Sequence, residues 1–298
     1  MTRLWHSAPG LLLVTGTLLG LTLPLGKIAA AAGISPALWA FVISFGAGAV
    51  LLVVLVSRGR GLNLDFATLR YFAITAAVSY AIPNLLLFAA IPHLGAGFSG
   101  IMLTLSPLLT LAISLILRLR RPDVLGIAGI AVGFIGAVMV TLTRGEAGQP
   151  AEPFWIGVGL LIPVSLAVGN IYRTLHWPKD SGPIQLAAGS HLAAAAMLFA
   201  MVVASPDASS FSLLGAVPVL VVAQVAASTA MFAFFFRLQA VGGPVYLSQI
   251  GYVAAALGLF AGTVFLGESY RLTTWLGAVV ISIGLVMTTR AQSSADVP

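Results

Sequence analysis

The chain has 298 residues, 59% of them hydrophobic and 7% charged, where a soluble domain carries roughly a quarter charged. A chain this apolar cannot cover its surface with polar groups, which excludes a water-soluble globule and puts the protein in lipid. The net charge of +6 is carried in connecting segments, so it reads as a topology signal and not as a nucleic-acid surface, and the lack of cysteine excludes disulfides, thiolate metal sites and cysteine nucleophiles.

Apolar runs near the length that crosses a bilayer as a helix follow one another along the chain. The spacing predicts ten spans, at 11–31, 36–56, 69–90, 97–117, 124–143, 154–175, 183–204, 214–237, 244–266 and 273–289. The first follows a short start with one basic residue, Arg3, and is too long for a signal-peptide core. The fourth is broken near its middle by Pro107 and stopped by Arg118, Arg120 and Arg121. A related run returns at 242–267, but Glu268 follows it instead of a basic cluster. The connections are short and hold most of the proline, glycine and charge. The longest, 144–153, divides the chain into 1–146 and 153–290, leaving 291–298 as a tail.

The basic residues set the orientation. With both termini inside, the cytoplasmic side receives Arg3, Arg58, Arg60, Arg70, Arg118, Arg120, Arg121, Arg173, Lys179, Arg237 and Arg290, and the outer side only Lys27, Arg144 and Arg271. A weak repeat runs beneath this pattern. Gly20 answers to Gly169, Ser35-Pro36 to Gly182-Pro183, Leu94-Gly95-Ala96 to Val241-Gly242-Gly243, and the Gly-Ala-Val-Met at 136–139 to the Gly-Leu-Val-Met at 284–287. The offsets are about 147 to 149 residues, a fixed period that points to a shared origin. Five spans per half make the second copy enter the membrane from the opposite side, a common build of secondary transporters.

Three stretches carry a family resemblance. They are Gly20-Leu-Thr-Leu-Pro24-Leu-Gly-Lys27, Ser106-Pro107, and Leu266-Gly267-Glu268 followed by Leu276-Gly277. On these the chain resembles EamA-type proteins of the drug/metabolite transporter superfamily, and is most similar to the YddG-type exporters of aromatic amino acids. The resemblance implies an all-α integral membrane protein of ten helices, built as two inverted five-helix repeats around a central cavity. It also implies that spans 1 to 4 and 6 to 9 line the cavity, that spans 5 and 10 lie at the periphery, and that amino acids or related metabolites are carried. The first-half counterpart of Glu268 falls near Arg120, so the acidic motif exists in the second half alone.

Chemistry is sparse. Gly20 to Lys27 has five residues between its glycines, one more than a phosphate loop, and lies within a span. No metal-ligand spacing and no Ser-His-Asp set appears, so neither a cofactor nor an enzymatic activity is expected. Polar groups at mid-depth are costly in hydrocarbon and face protein or a water-filled cavity. Span 3 offers Tyr80 and Asn84 around Pro83, either as a cavity wall or as helix-packing hydrogen bonds. Span 4 offers Phe98 and Met102 as an apolar wall, and span 6 offers Asn170. Span 8 offers Gln224 and span 9 offers Ser248, Gln249 and Tyr252, of which the last two share a face. His191 in span 7 is either a functional group or a neutral side chain satisfied by a carbonyl. The phenylalanines Phe232, Phe234, Phe235 and Phe236 face all directions, so one or two at most reach a cavity. Pro24, Pro83, Pro107 and Pro163 are candidate hinges. Glycines 129, 133 and 136 read as a close-packing stripe.

No Asp or Glu lies within a span, which argues for uniport or exchange without strict proton coupling, His191 being the one titratable candidate. The sequence therefore predicts an exporter of amino acids, aromatic and other bulky ones among them, in a bacterial-type inner membrane. Its partners are a small-molecule substrate and lipid, with no nucleic acid. A multidrug or other metabolite exporter of the same superfamily is the alternative, ahead of a lipid scramblase or intramembrane enzyme.

Overall fold

A computed structural model describes residues 6–119, 123–142, 152–205, 211–267 and 269–295. Among them there is helix and no strand. Helix α1 is Ala8–Ala31, α2 Pro36–Ser57 and α3 Phe66–Leu94. Helix α4 runs through Ala96–Met102, a 3-10 turn at Leu103–Leu105 and Ser106–Ile116. Helix α5 is Val124–Leu142, α6 Pro153–Leu175 and α7 Pro183–Val203. After a helical turn at Phe211–Leu214 come α8 Pro218–Ser248, α9 Ile250–Leu266 and α10 Leu272–Ala295.

Local signals fix the helix starts. Ser35 accepts from the Leu38 N–H at 3.3 Å, with Pro36 in the first turn of α2. Asp65 accepts from the Thr68 N–H at 2.8 Å at the start of α3. That bond holds its carboxyl below the usual carboxylate range. At α7, Gln185 accepts from the Gly182 N–H at 2.8 Å ahead of Pro183. Each helix is apolar around most of its circumference, so it offers surface to neighbours and to lipid alike. Val53, Ile116, Val219, Phe265 and Leu272 stay outward and exposed.

By length and composition, α1, α2, α3, α6, α7 and α8 are each able to cross a membrane, while α4, α5, α9 and α10 contain shorter apolar stretches. The difference from ten uniform runs is partly one of interruption. The 3-10 turn divides α4, and the chain is broken again at Gln249 between α8 and α9. The eighth predicted run was expected to stop at 237; the first part of α8 instead runs on to a kink at Gly243, φ 71° and ψ −177°, and a second helical part starts at Pro244, where the ninth run was expected to begin. Only glycine takes that conformation freely. Gly95, between α3 and α4, has a similar backbone at φ 79° and ψ 160°.

Packing is pairwise and orderly. Helix α1 lies on α8 and α9, α6 on α3 and α4, α2 on α7 and α8, α7 on α3, α4 on α9, and α5 on α10. The α5–α10 seam is close-packed. A Cβ added at Gly136 would stand 2.7 Å from the Gly277 carbonyl oxygen, and one at Gly129 2.8 Å from that of Gly284. The glycine stripe of α5 thus brings backbone against backbone, as its spacing indicated. The two interrupted turns also meet. A Cβ at Gly251 would stand 2.5 Å from the Leu103 carbonyl oxygen.

Candidate functional site

Between α1, α2, α3, α4, α6, α8 and α9 lies an internal cavity of about 80 Å³, room for several water molecules. Its walls are mostly apolar, with polar side chains from α1, α3, α4, α6 and α8. Helices α5, α7 and α10 contribute no lining residue among the described ones.

The irregular backbone of the bundle is gathered at this hollow. Residues Ala76–Ala81 of α3 form a π-helical turn just before Pro83, which has no N–H to give. The wider turn brings both Ser79 and Tyr80 to the cavity. Leu103, in the 3-10 turn of α4, and Leu247, Ser248, Ile250 and Gly251, on either side of the break before α9, line it as well. Broken helices at membrane depth are tolerated where they are buried in protein or border a cavity.

Of the residues singled out from the sequence, Tyr80, Asn84, Asn170 and Ser248 line the cavity, as does Pro83. Phe232 and Phe235 line it too, and Phe234 and Phe236 do not. His191 lies one layer back. Its ring is 4.0 Å from that of Tyr80 and 3.8 Å from that of Phe232, fully buried, and neither ring nitrogen has a hydrogen-bond partner among the described residues. The carbonyl partner anticipated as one alternative is absent there. Gln224 donates to Ser228 at 2.8 Å, one turn on along α8, and Ser228 is the one of the two at the cavity.

The structure carries the rest elsewhere. Gln249 turns towards α10 and accepts from the Thr288 hydroxyl at 2.8 Å. Tyr252 follows it, against Gly133 and in a cluster with Leu259 and Ile281. The break at Gln249 leaves their common face on the α5–α10 side. Met102 packs with Ala90, Leu94 and Trp155. The side chain of Phe98 lies outside the described residues, as do Arg120, Arg121, Arg144 and Glu268. Pro24 and Pro163 are buried within α1 and α6, and Pro107 sits in the first turn after the 3-10 segment.

One residue at the site escaped the sequence reading. Arg173 was counted with the cytoplasmic loop charges, yet it is 1% exposed. Its Nε donates to Gln239 Oε1 at 2.7 Å, Nη2 to Asn170 Oδ1 at 2.6 Å, and Nη1 to the Ser79 hydroxyl. The guanidinium also stands 4.8 Å from the centre of the Phe235 ring, within cation–π range. Gln239 is held in turn, donating to the Asn170 carbonyl and to Thr174 Oγ1, each at 3.1 Å. Gly169 makes the space, because any Cβ there would overlap Ser79. The signal available in the sequence was the polar set Asn170, Arg173 and Thr174 on one face of α6. The partner Gln239 lies 66 residues away from Arg173 and gave no local cue.

The arrangement is an apolar chamber with a few polar groups, two of which, Ser79 and Asn170, are backed by the buried guanidinium of Arg173. It suits a small molecule with a hydrophobic body and a polar head. Residues 7–142 match the model of the EamA-like transporter family, so the first half of the chain is EamA-like. Along nearly its whole length the chain is similar to a WAT1-related protein of Arabidopsis thaliana, with 24% identity covering 91% of this chain and 84% of that one. A solved structure described only as the crystal structure of a protein superposes with a TM-score of 0.64 at 19% identity, covering 93% of this chain and 98% of the other. That likeness concerns the fold.

Proposed function

From the EamA-like character of residues 7–142, we propose that the whole chain is a ten-span secondary transporter of two inverted five-helix halves. It exports amino acids, bulky and aromatic ones included, across a bacterial-type inner membrane by alternating access. The observation that carries this reading is the convergence of the π turn, the 3-10 turn and the break at Gln249 on one buried cavity. A scaffold has no need to interrupt three helices at one place; a carrier that must bend around its cargo does.

The packing supports two related halves. Exchanging each helix with the one five places on turns α1 on α8 into α6 on α3, α1 on α9 into α6 on α4, and α2 on α8 into α7 on α3. The pairs α2–α7, α4–α9 and α5–α10 map onto themselves. Opposite threading is supported by contacts between ends. His6 meets Arg237 at 3.0 Å, and Gln185 donates to the Gly61 carbonyl at 2.8 Å, both at ends assigned to the cytoplasm. At the other side, His93 stacks on Trp155 at 3.8 Å.

The described acids, Asp65, Asp123, Glu152 and Asp180, all lie outside the helices, and no described residue brings a carboxylate to the cavity for proton coupling, so exchange is the expected mode. The test is uptake of a panel of labelled amino acids into proteoliposomes preloaded with the same compounds, for the wild type, Tyr80→Ala and Asn84→Ala. Counterflow of bulky amino acids that both variants diminish is expected. A wild type that moves none of the panel overturns the reading.

A further inference from the structure

We infer that the two Nη groups of Arg173 form the subsite for the substrate's carboxylate, so that the cavity selects monoanionic head groups. The inference rests on the transporter reading for its setting, and names the chemistry that the site takes.

Burying a guanidinium costs several kcal/mol even after relaxation. Such a residue inside a membrane protein is paired or functional. Among the described residues Arg173 has no carboxylate partner; the described acids all stand outside the helices. Its partners are the neutral oxygens of Gln239, Ser79 and Asn170. Neutral acceptors orient a guanidinium but leave its charge uncompensated. They use three of its five N–H donors.

The direction of the fork matters more than the count. Nε is taken by Gln239, which is not at the cavity, and this bond fixes the plane of the group. Nη1 and Nη2 point at Ser79 and Asn170, and both of those residues line the cavity. The third neighbour, Phe235, lines it as well. The two donors with the spacing that matches a carboxylate are therefore the two that bond residues of the cavity wall, while Arg173 itself stands one layer behind it. A carboxylate that takes the places of Ser79 Oγ and Asn170 Oδ1 makes two charge-assisted bonds and neutralises the cation. The hydrophobic body then lies among Tyr80, Phe232 and Phe235. A phosphate dianion fits less well, because this single cation would leave a net negative charge among apolar walls. A lipid head group is disfavoured by the burial of Arg173 at 1% exposure.

The experiment uses the full chain in lipid nanodiscs and reads ligand-dependent thermal stabilisation. The ligands are the amino acids, their carboxamides, the amines left by decarboxylation, and the acids left when the α-amino group is removed. Inorganic phosphate and glycerol phosphate are included as the other anions. The wild type is expected to bind the best acids roughly a hundredfold more tightly than their amides or amines. Arg173→Met is expected to abolish that preference, and Arg173→Lys to keep a weaker one. Equal binding of acids and amides by the wild type overturns the inference, and this arm needs no variant to fold. A preference for the phosphates also overturns it, as does the absence of any organic acid among the ligands. Binding of simple carboxylic acids through Arg173 with no transport of amino acids would sink the transporter's assigned cargo and leave the carboxylate subsite standing.

Discussion

Arg173 lies against Ser79, its Nη1 donating to the serine hydroxyl across a separation of 94 residues. This contact ties α6 to the π turn of α3 at the edge of the cavity. The space for it comes from a third position, Gly169, where a side chain would occupy the place of Ser79.

Gly169→Ala is therefore expected to destabilise the protein by about 1–3 kcal/mol, as forced overpacking does, and to weaken substrate binding with it. Gly157→Ala is the control on the same helix, since a Cβ there meets nothing within 4 Å. Thermal unfolding in nanodiscs separates the two, and equal melting temperatures would remove the role given to Gly169.

Tyr80 predicts a split between packing and recognition. Its ring packs on His191 and Phe232, while its hydroxyl has no partner among the described residues. Tyr80→Ala should cost about 3–5 kcal/mol through loss of the buried ring. Tyr80→Phe should leave the melting temperature unchanged or raise it slightly, because an unsatisfied buried hydroxyl is no asset. Reduced counterflow in Tyr80→Phe at full stability would identify the hydroxyl as a substrate contact.

The α5–α10 seam gives the converse result. Gly136→Ala puts a methyl 2.7 Å from the Gly277 carbonyl oxygen, and should cost about 1–3 kcal/mol. The seam lies away from the cavity, so the affinity of whatever protein remains folded should not change. Ligand titration of the folded fraction at low temperature checks this.

His191 supplies a test of coupling. It is enclosed by Tyr80 and Phe232, with neither nitrogen hydrogen-bonded among the described residues. His191→Phe should preserve exchange in proteoliposomes without a pH gradient, and the wild type should exchange equally well in its absence. Strict dependence of the wild type on an imposed gradient, lost in His191→Phe, would make this residue the coupling group.

Gln249 and Tyr80 mark the boundary of what the sequence could say. The starts of α2, α5 and α7 were legible because proline, cap residues and apolar run length act within one turn. Tyr80, Asn84, Asn170 and Ser248 could be singled out because polar groups in a long apolar run need a reason. Which way such groups point could not be read. Gln249 and Tyr252 share a face as their spacing indicated, but the break between α8 and α9 turns that face to Thr288 and Gly133. Arg173 was misread for a related cause. A basic residue near a helix end ordinarily marks the cytoplasmic border, and only the arrival of Gln239 and Ser79 from distant helices draws it inward.

The meeting of Leu103 with Gly251 carries a last consequence. Leu103 belongs to the 3-10 turn of α4 and Gly251 to the first turn of α9 just after the break at Gln249, and the two backbones leave no room for a side chain between them. The interruption of α4 and the break ahead of α9 thus abut. Movement of either segment would press on its neighbour across that close approach.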